Sequence, residues 1–264
     1  MIEYFIEKAK IETSDPSKKI VDGKTFYYMT PYFALMYGPV MKKIDTIITK
    51  VDDIQRNHYV NVAKILEYKL TKVGDTVDYG YVLQEEAVGK PLYKKLSKIK
   101  DVNPAVQEAK ILRMLKESIF DISCEAQEHY NKMIQDFYVL KENGIMLDLT
   151  KTSSLFCDYR HGFTFARFAC DSVKIEEGND YNLFMTALCN PHLSKYINKL
   201  DDATLRDLLK INRKLYTAFK KNDRLTDNYT SDCRRYNNMF ESKIREEEKL
   251  DDIAIRIRKG LKTD

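Results

Sequence analysis

Apolar and polar positions change their period along this chain, and the change divides it. Over the first 30 residues short apolar runs alternate with turn chemistry: "IEYFIEKAKI", "TSDPSKK", then "IVDGKTFYYM". Asp22-Gly23 stands between Ile20-Val21 and the β-prone Thr25-Phe26-Tyr27-Tyr28, which predicts a hairpin in an N-terminal antiparallel sheet. After Gly38-Pro39, the residues Val40, Ile44, Ile47, Ile48, Val51 and Ile54 recur at intervals of three and four. That spacing predicts an amphipathic helix of about four turns over 39–55, with Pro39 suited to its first position. "VNVAKILEYKL" and "DYGYVLQEEA" follow as two strand-like runs, with the polar "TKVGDTVD" as their hairpin connection.

From "VGKPL" onward helical periodicity dominates. Asn103-Pro104 supplies an N-cap and a proline at the head of a helix predicted through about residue 118. A second helix is predicted from about 123 to Asn143-Gly144, with Ala126, Tyr130, Met133, Ile134, Phe137 and Leu140 on one face and Gly144 as its stop. "GIMLDLTKT" then reads as a loop, and "SLFCDYRHGFTFARF" as two short strands turning at 158–162. Further helices are expected to begin near Asp202 and Tyr229, the last running through the polar "ESKIREEEKLDDIAIRIRKG". The order is a sheet with one helix, a hinge near 85–91, then a mostly helical part. A 34-residue helical repeat fails in the first 100 residues.

Composition places the chain among folded globular proteins: 264 residues, 44% apolar, 11% aromatic and 32% charged. The formal charge of +4 comes from 44 basic and 40 acidic side chains, so the signs are intermixed and strong nucleic-acid binding is not implied. The five cysteines are odd in number, widely spaced and contain no CxxC pair, which argues against a disulfide framework or a zinc site and for a reducing compartment. No run of about 18 apolar residues is present, and "MIEYFIEKAK" carries charges within its apolar stretch, so neither a membrane span nor an export signal is expected. The expected location is cytoplasmic, or wherever a specialised secretion machine delivers the chain.

The order of elements and several stretches resemble the protein-kinase-like superfamily. "NHYVNVAKILEYKL" looks like the stretch between the regulatory helix and the fourth strand. "YGYVLQEEAVGKPLYKK" looks like the fifth strand, the hinge and the helix beyond it, where the backbone of Glu85, Glu86 and Ala87 would meet an adenine ring. The helix ending at Gly144, then "IMLDLTKTSSLFCD" and "GFTFARF", resemble the catalytic loop and the strand bearing the metal-binding acid. The resemblance implies an α+β, bilobal kinase-like fold: an antiparallel-sheet lobe with one helix over 1–88, and a mostly helical lobe over 89–264. It implies ATP as ligand, and it sets Asp148 in the place of the acid that orients the substrate hydroxyl. The asparagine of the loop falls on Ser153 or Ser154, weaker ligands for a hard divalent ion.

Where the family carries its second metal-binding acid, this chain has Arg167, a cation that repels a metal ion but could pair with phosphate directly. Met29 falls on the expected strand lysine. The helix over 39–55 contains no glutamate, only Asp45, Asp52 and Asp53, and there is no glycine-rich loop in the first 30 residues. Magnesium is therefore placed in doubt and no metal site is expected. Four departures together imply a divergent, pseudokinase-like regulator or binding protein, acting through a protein partner. The alternatives are an atypical active phosphotransferase using Asp148, with Lys24 or Lys42 on the phosphates and Asp158 or Asp171 on the metal, and a helical interaction module over 202–260.

Local readings stand beside these. Asp148 could simply satisfy backbone amides after Gly144. His161, before Gly162, is expected to serve a turn, and His58 and His129 lack a spaced second ligand. Cys189 with His192 suggests a nucleophile only if a third group converges. Arg213, Lys214, Lys220, Lys221, Arg224, Arg234 and Arg235 form the densest basic region, interleaved with acids; Tyr216, Tyr229 and Tyr236 would add stacking surfaces there for single-stranded nucleic acid. Eighteen tyrosines beside no tryptophan favour partner contacts, although most are expected to pack with their hydroxyls reaching water.

Overall fold

The computed structural model describes residues 18–21, 24–29, 44–73, 76–85, 87–92, 101–149, 154–166, 168, 178–189 and 193–258. The fold is α+β and mostly helical. By contact the chain divides into two units: Met1–Lys90 with Asp136–Asp148 and Thr164–Lys174, and Pro91–Gln135 with Leu149–Phe163 and Ile175–Asp264.

In the first unit, β1 (Lys18–Val21) and β2 (Lys24–Met29) form the hairpin foreseen at Asp22-Gly23, with Val21 opposite Lys24. Helix α1 (Ile44–His58) follows and buries Val51 and Ile54, residues of the apolar stripe. Residues 39–43, where the helix was expected to begin, lie outside the described residues. Strands β3 (Ile65–Val73) and β4 (Thr76–Glu85) pair antiparallel as far as Val73 opposite Thr76. The pairing consumes most of the expected polar connection. Strand β3 is an edge strand: the sheet order is β1-β2-β4-β3, with β4 between β2 and β3.

A second sheet has the order β5-β6-β7, from β5 (Lys90–Pro91), β6 (Leu155–Asp158) and β7 (Gly162–Phe165). The last two are the short strands predicted around 158–162.

The second unit is built on helices. Helix α2 (Pro104–Cys124) starts as predicted, with the Asn103 side chain accepting from the Ala105 N–H at 3.0 Å. It runs past residue 118 because Leu115, Ile119 and Ile122 continue the buried stripe. Helix α3 (Gln127–Glu142) therefore begins after a break at 125–126 rather than at 123. The break needs no glycine, because Lys214 Nζ donates to the carbonyls of Ser123 at 2.7 Å and Glu125 at 2.5 Å.

Two further helices, α4 (Asp180–Cys189) and α5 (Leu193–Tyr196), lie in a stretch whose apolar residues show no clear stripe. Helix α4 is apolar nearly all round because it is buried nearly all round. Helix α6 (Asp202–Lys221), capped by Asp201, packs on α2, α4 and the last helix, α7 (Asp227–Arg258). Leu208, Ile211, Leu215, Ala218 and Phe219 on α6 are completely buried and make it the centre of this unit's core. Helix α7 starts two residues before Tyr229 because the Thr226 hydroxyl accepts from the Tyr229 N–H at 3.2 Å.

Candidate functional site

The segment carrying Asp148 is positioned by the end of α3. Gly144 takes φ +76°, and the N–H groups of Gly144 and Ile145 return to the carbonyls of Lys141 and Leu140, closing the helix in a left-handed cap. Lys50 of α1 donates to the Asn143 carbonyl at 3.1 Å, placing a cation where the helix dipole is negative. The chain then alternates: Ile145, Leu147 and Leu149 are each 2% exposed, and Met146 faces out at 38%. Asp148 departs from this alternation, for it is only 9% exposed although it follows the outward phase of Met146.

Two pairings hold this region in the first unit. Leu147 bridges Phe168 in antiparallel sense, and Val62 bridges Phe165 in parallel sense. The second is fixed by Ala63 N–H to Phe165 O at 2.8 Å and Phe165 N–H to Asn61 O at 2.9 Å. Asp136, 1% exposed, accepts from the Asn61 N–H at 3.0 Å and so ties α3 to the same segment. Asp136 was not singled out in the sequence, yet a signal was there: an acid three residues after Met133 and four before Leu140 lies within the apolar stripe of its helix.

The other sequence-predicted residues are distributed as follows. Glu85 is the last residue of β4, its backbone opposite Lys24 in the ladder. Ala87 is buried at 8%, ahead of the exposed Val88. Ser154 is 2% exposed and belongs to the second unit, whereas Asp148 and Ala87 belong to the first. Glu86, Ser153, Arg167, Lys42, Asp171 and His192 lie outside the described residues. Of the acids on α1, Asp52 pairs with Lys64 at 3.4 Å and Asp53 with Arg56 at 3.9 Å.

In the second unit, Asp158 organises the β6–β7 turn. Its Oδ1 accepts from the backbone N–H of Arg160 at 3.0 Å and of His161 at 3.2 Å, and meets His161 Nδ1 at 2.7 Å. Those hydrogen bonds, the His161 side chain first, hold its carboxyl below the ordinary range. His161 is thus a turn residue. His129 is bound to Glu125 at 2.6 Å and packs under Gly162, where a Cβ would come within 2.9 Å of the ring.

Burial pushes the Cys189 thiol up to about 12 and raises Cys157 further, aided by the Glu125 charge. Neither thiol is a ready nucleophile. Among the described residues no group of three or more His, Cys, Asp or Glu side chains is arranged to hold a metal ion, and no helix is long and apolar enough to cross a membrane.

Neither the protein-family models nor the curated proteins compared with this chain match it.

Proposed function

We propose that this chain is a bilobal, kinase-like protein whose catalytic apparatus has been lost, acting as a pseudokinase-type regulator that binds a protein partner. One observation carries the reading: the bridge between Leu147 and Phe168. Of the two chain neighbours at that pairing, Asp148 is an acid sheltered from water, and Arg167 is a cation where a phosphotransferase needs a second acid. Supporting it, α1 falls between β2 and β3, the last strand of that sheet takes an inner place, and a helix stopped by Gly144 leads directly to Asp148.

Among the described residues the donor set does not fit a magnesium–triphosphate site. Asp148 is a single carboxylate, Asp52 and Asp53 are occupied by Lys64 and Arg56, and Asp158 is spent on its own turn. Nucleotide, where it binds, is held by hinge backbone at 85–87 and by charge on its phosphates, with Arg167 standing in for the metal's positive charge.

A thermal-shift titration with ATP, with and without magnesium, tests the reading. Binding raises stability by RT ln(1 + [L]/Kd), only about 0.4 kcal/mol when ligand equals Kd. The expected result is a small shift that is indifferent to magnesium in the native chain and becomes magnesium-dependent in Arg167→Asp. Strong magnesium-dependent stabilisation of the native chain, with phosphate transfer abolished by Asp148→Asn, would instead establish an active phosphotransferase.

A further inference from the structure

The geometry points to a binding site for a small organic phosphate monoester in the groove between α6 and α7, with Arg213 and Arg234 as its anion-holding pair. This inference is independent of the kinase-like reading, because every residue it uses lies in the second unit. The groove has a volume of about 450 Å³ and is walled by Arg213, Tyr216 and Thr217 from α6 and by Thr230, Arg234 and Asn237 from α7. That volume is within the range of small-molecule sites and larger than an inorganic phosphate requires.

The spacing explains why these residues meet. Arg213, Tyr216 and Thr217 stand at i, i+3 and i+4, and Thr230, Cys233, Arg234 and Asn237 at i, i+3, i+4 and i+7, so each set lines one side of its helix. The helices are joined by residues 222–226 alone and run antiparallel. Arg213 lies eight residues before the last residue of α6, and Arg234 seven after the first of α7, which brings the two guanidinium-bearing turns to the same level.

Neither arginine has an acidic side chain three or four residues away on its own helix. Elsewhere on these helices Arg206 pairs with Asp202, Arg235 with Asp232 and Arg245 with Glu241, each three or four residues away. Around Arg213 those positions hold Leu209, Lys210, Tyr216 and Thr217; around Arg234 they hold Thr230, Ser231, Asn237 and Asn238. Among the described residues neither guanidinium has an ion pair or a side-chain hydrogen bond. Two unpaired cations facing one groove repel each other, and a phosphate dianion between them removes the repulsion while accepting forked N–H donors from both.

The remaining groups define what accompanies the phosphate. The hydroxyls of Thr217 and Thr230 donate to the carbonyls of Arg213 at 2.9 Å and Thr226 at 3.1 Å, so they face a ligand as acceptors only. Half-buried Tyr216 supplies a ring and a hydroxyl donor, and Cys233, 7% exposed, closes the floor. A phosphate on an aromatic or apolar body suits this lining. A polyanion suits it less, because Asp207, Asp223, Asp227 and Asp232 interleave with the basic residues of the same two helices.

The test is calorimetric titration of the full chain at constant ionic strength with phenyl phosphate, and separately with inorganic phosphate, phenol and a single-stranded oligothymidylate. Saturable binding of phenyl phosphate, tighter than inorganic phosphate or phenol, is expected, weakened about tenfold or more by Arg213→Gln and by Arg234→Gln. Both side chains are exposed, so the variants should melt with the native chain, and Lys220→Gln on the same helix should bind as the native chain does. Absence of saturable binding, equal binding in the double variant, or oligothymidylate outcompeting phenyl phosphate at the same arginines would each overturn the inference. If an arginine variant alone fails to fold, a rise in the melting temperature of the native chain with phenyl phosphate that inorganic phosphate and phenol at the same concentration do not give decides, and its absence counts against the site.

Discussion

Gly162 is the residue at which local geometry leaves least freedom. It takes φ +74° as β7 begins, and a Cβ there would sit 2.9 Å from His129 Cγ, with His129 held by Glu125. Gly162→Ala incurs left-handed strain and displaces a tethered ring, so a loss of about 2 kcal/mol is expected, read as a lower urea midpoint at unchanged slope. At Asp201 the effect depends on pH. Burial opposes ionisation there, but hydrogen bonds from Lys116 and from the hydroxyl and N–H of Thr204 outweigh it and lower the carboxyl to about 2. A folded-state pKa below the unfolded one means stability present above about pH 4 and lost as pH falls toward 2. Asp201 is 52% exposed, so solvent screening limits the contribution to about 1 kcal/mol or less. Urea melts at pH 5 and 2.5 should show the loss, and Asp201→Asn, which keeps a capping side chain, should flatten that part of the profile.

Among the elements, the break between α2 and α3 shows how a helix end is set from a distance. No glycine or proline interrupts residues 123–127. The end is held by Lys214 from α6, which also stands 5.8 Å from the Tyr130 ring centroid. Lys214→Met removes donors from two carbonyls and should cost about 2 kcal/mol, with faster amide exchange in the last turn of α2. Lys220→Met, on an exposed part of the same helix, should change stability by less than about 0.5 kcal/mol. The helices α2, α3, α6 and α7 were legible because caps and apolar stripes are local signals, and so was the β6–β7 turn, because Asp158 and Gly162 announce it. The ends expected at 118 and 123 fall elsewhere because the partner of those carbonyls lies 91 residues along the chain in one case and 89 in the other.

At the scale of the molecule, α6 organises the core of the helical unit, and the thiols report on it. Cys124 is exposed, whereas Cys189 and Cys233 are buried among the residues that α6 and α7 pack together. A thiol reagent should label Cys124 in the native state, and one equivalent of fast labelling should vanish in Cys124→Ser. Cys189 and Cys233 should react only as the helical unit opens, with rates that follow its unfolding free energy in urea. The sequence by itself determined the class of the fold, the β1–β2 hairpin, the positions of most helices and the presence of Asp148 after a Gly144-terminated helix. Each of these depends on period, cap or turn chemistry within a few residues. Only the tertiary structure decided that β4 lies between β2 and β3, that Asp136 is spent on Asn61, that Asp148 is sheltered, and that Arg213 and Arg234 face one groove with no ion pair among the described residues. Those outcomes depend on groups brought together from distant parts of the chain or from two facing helices.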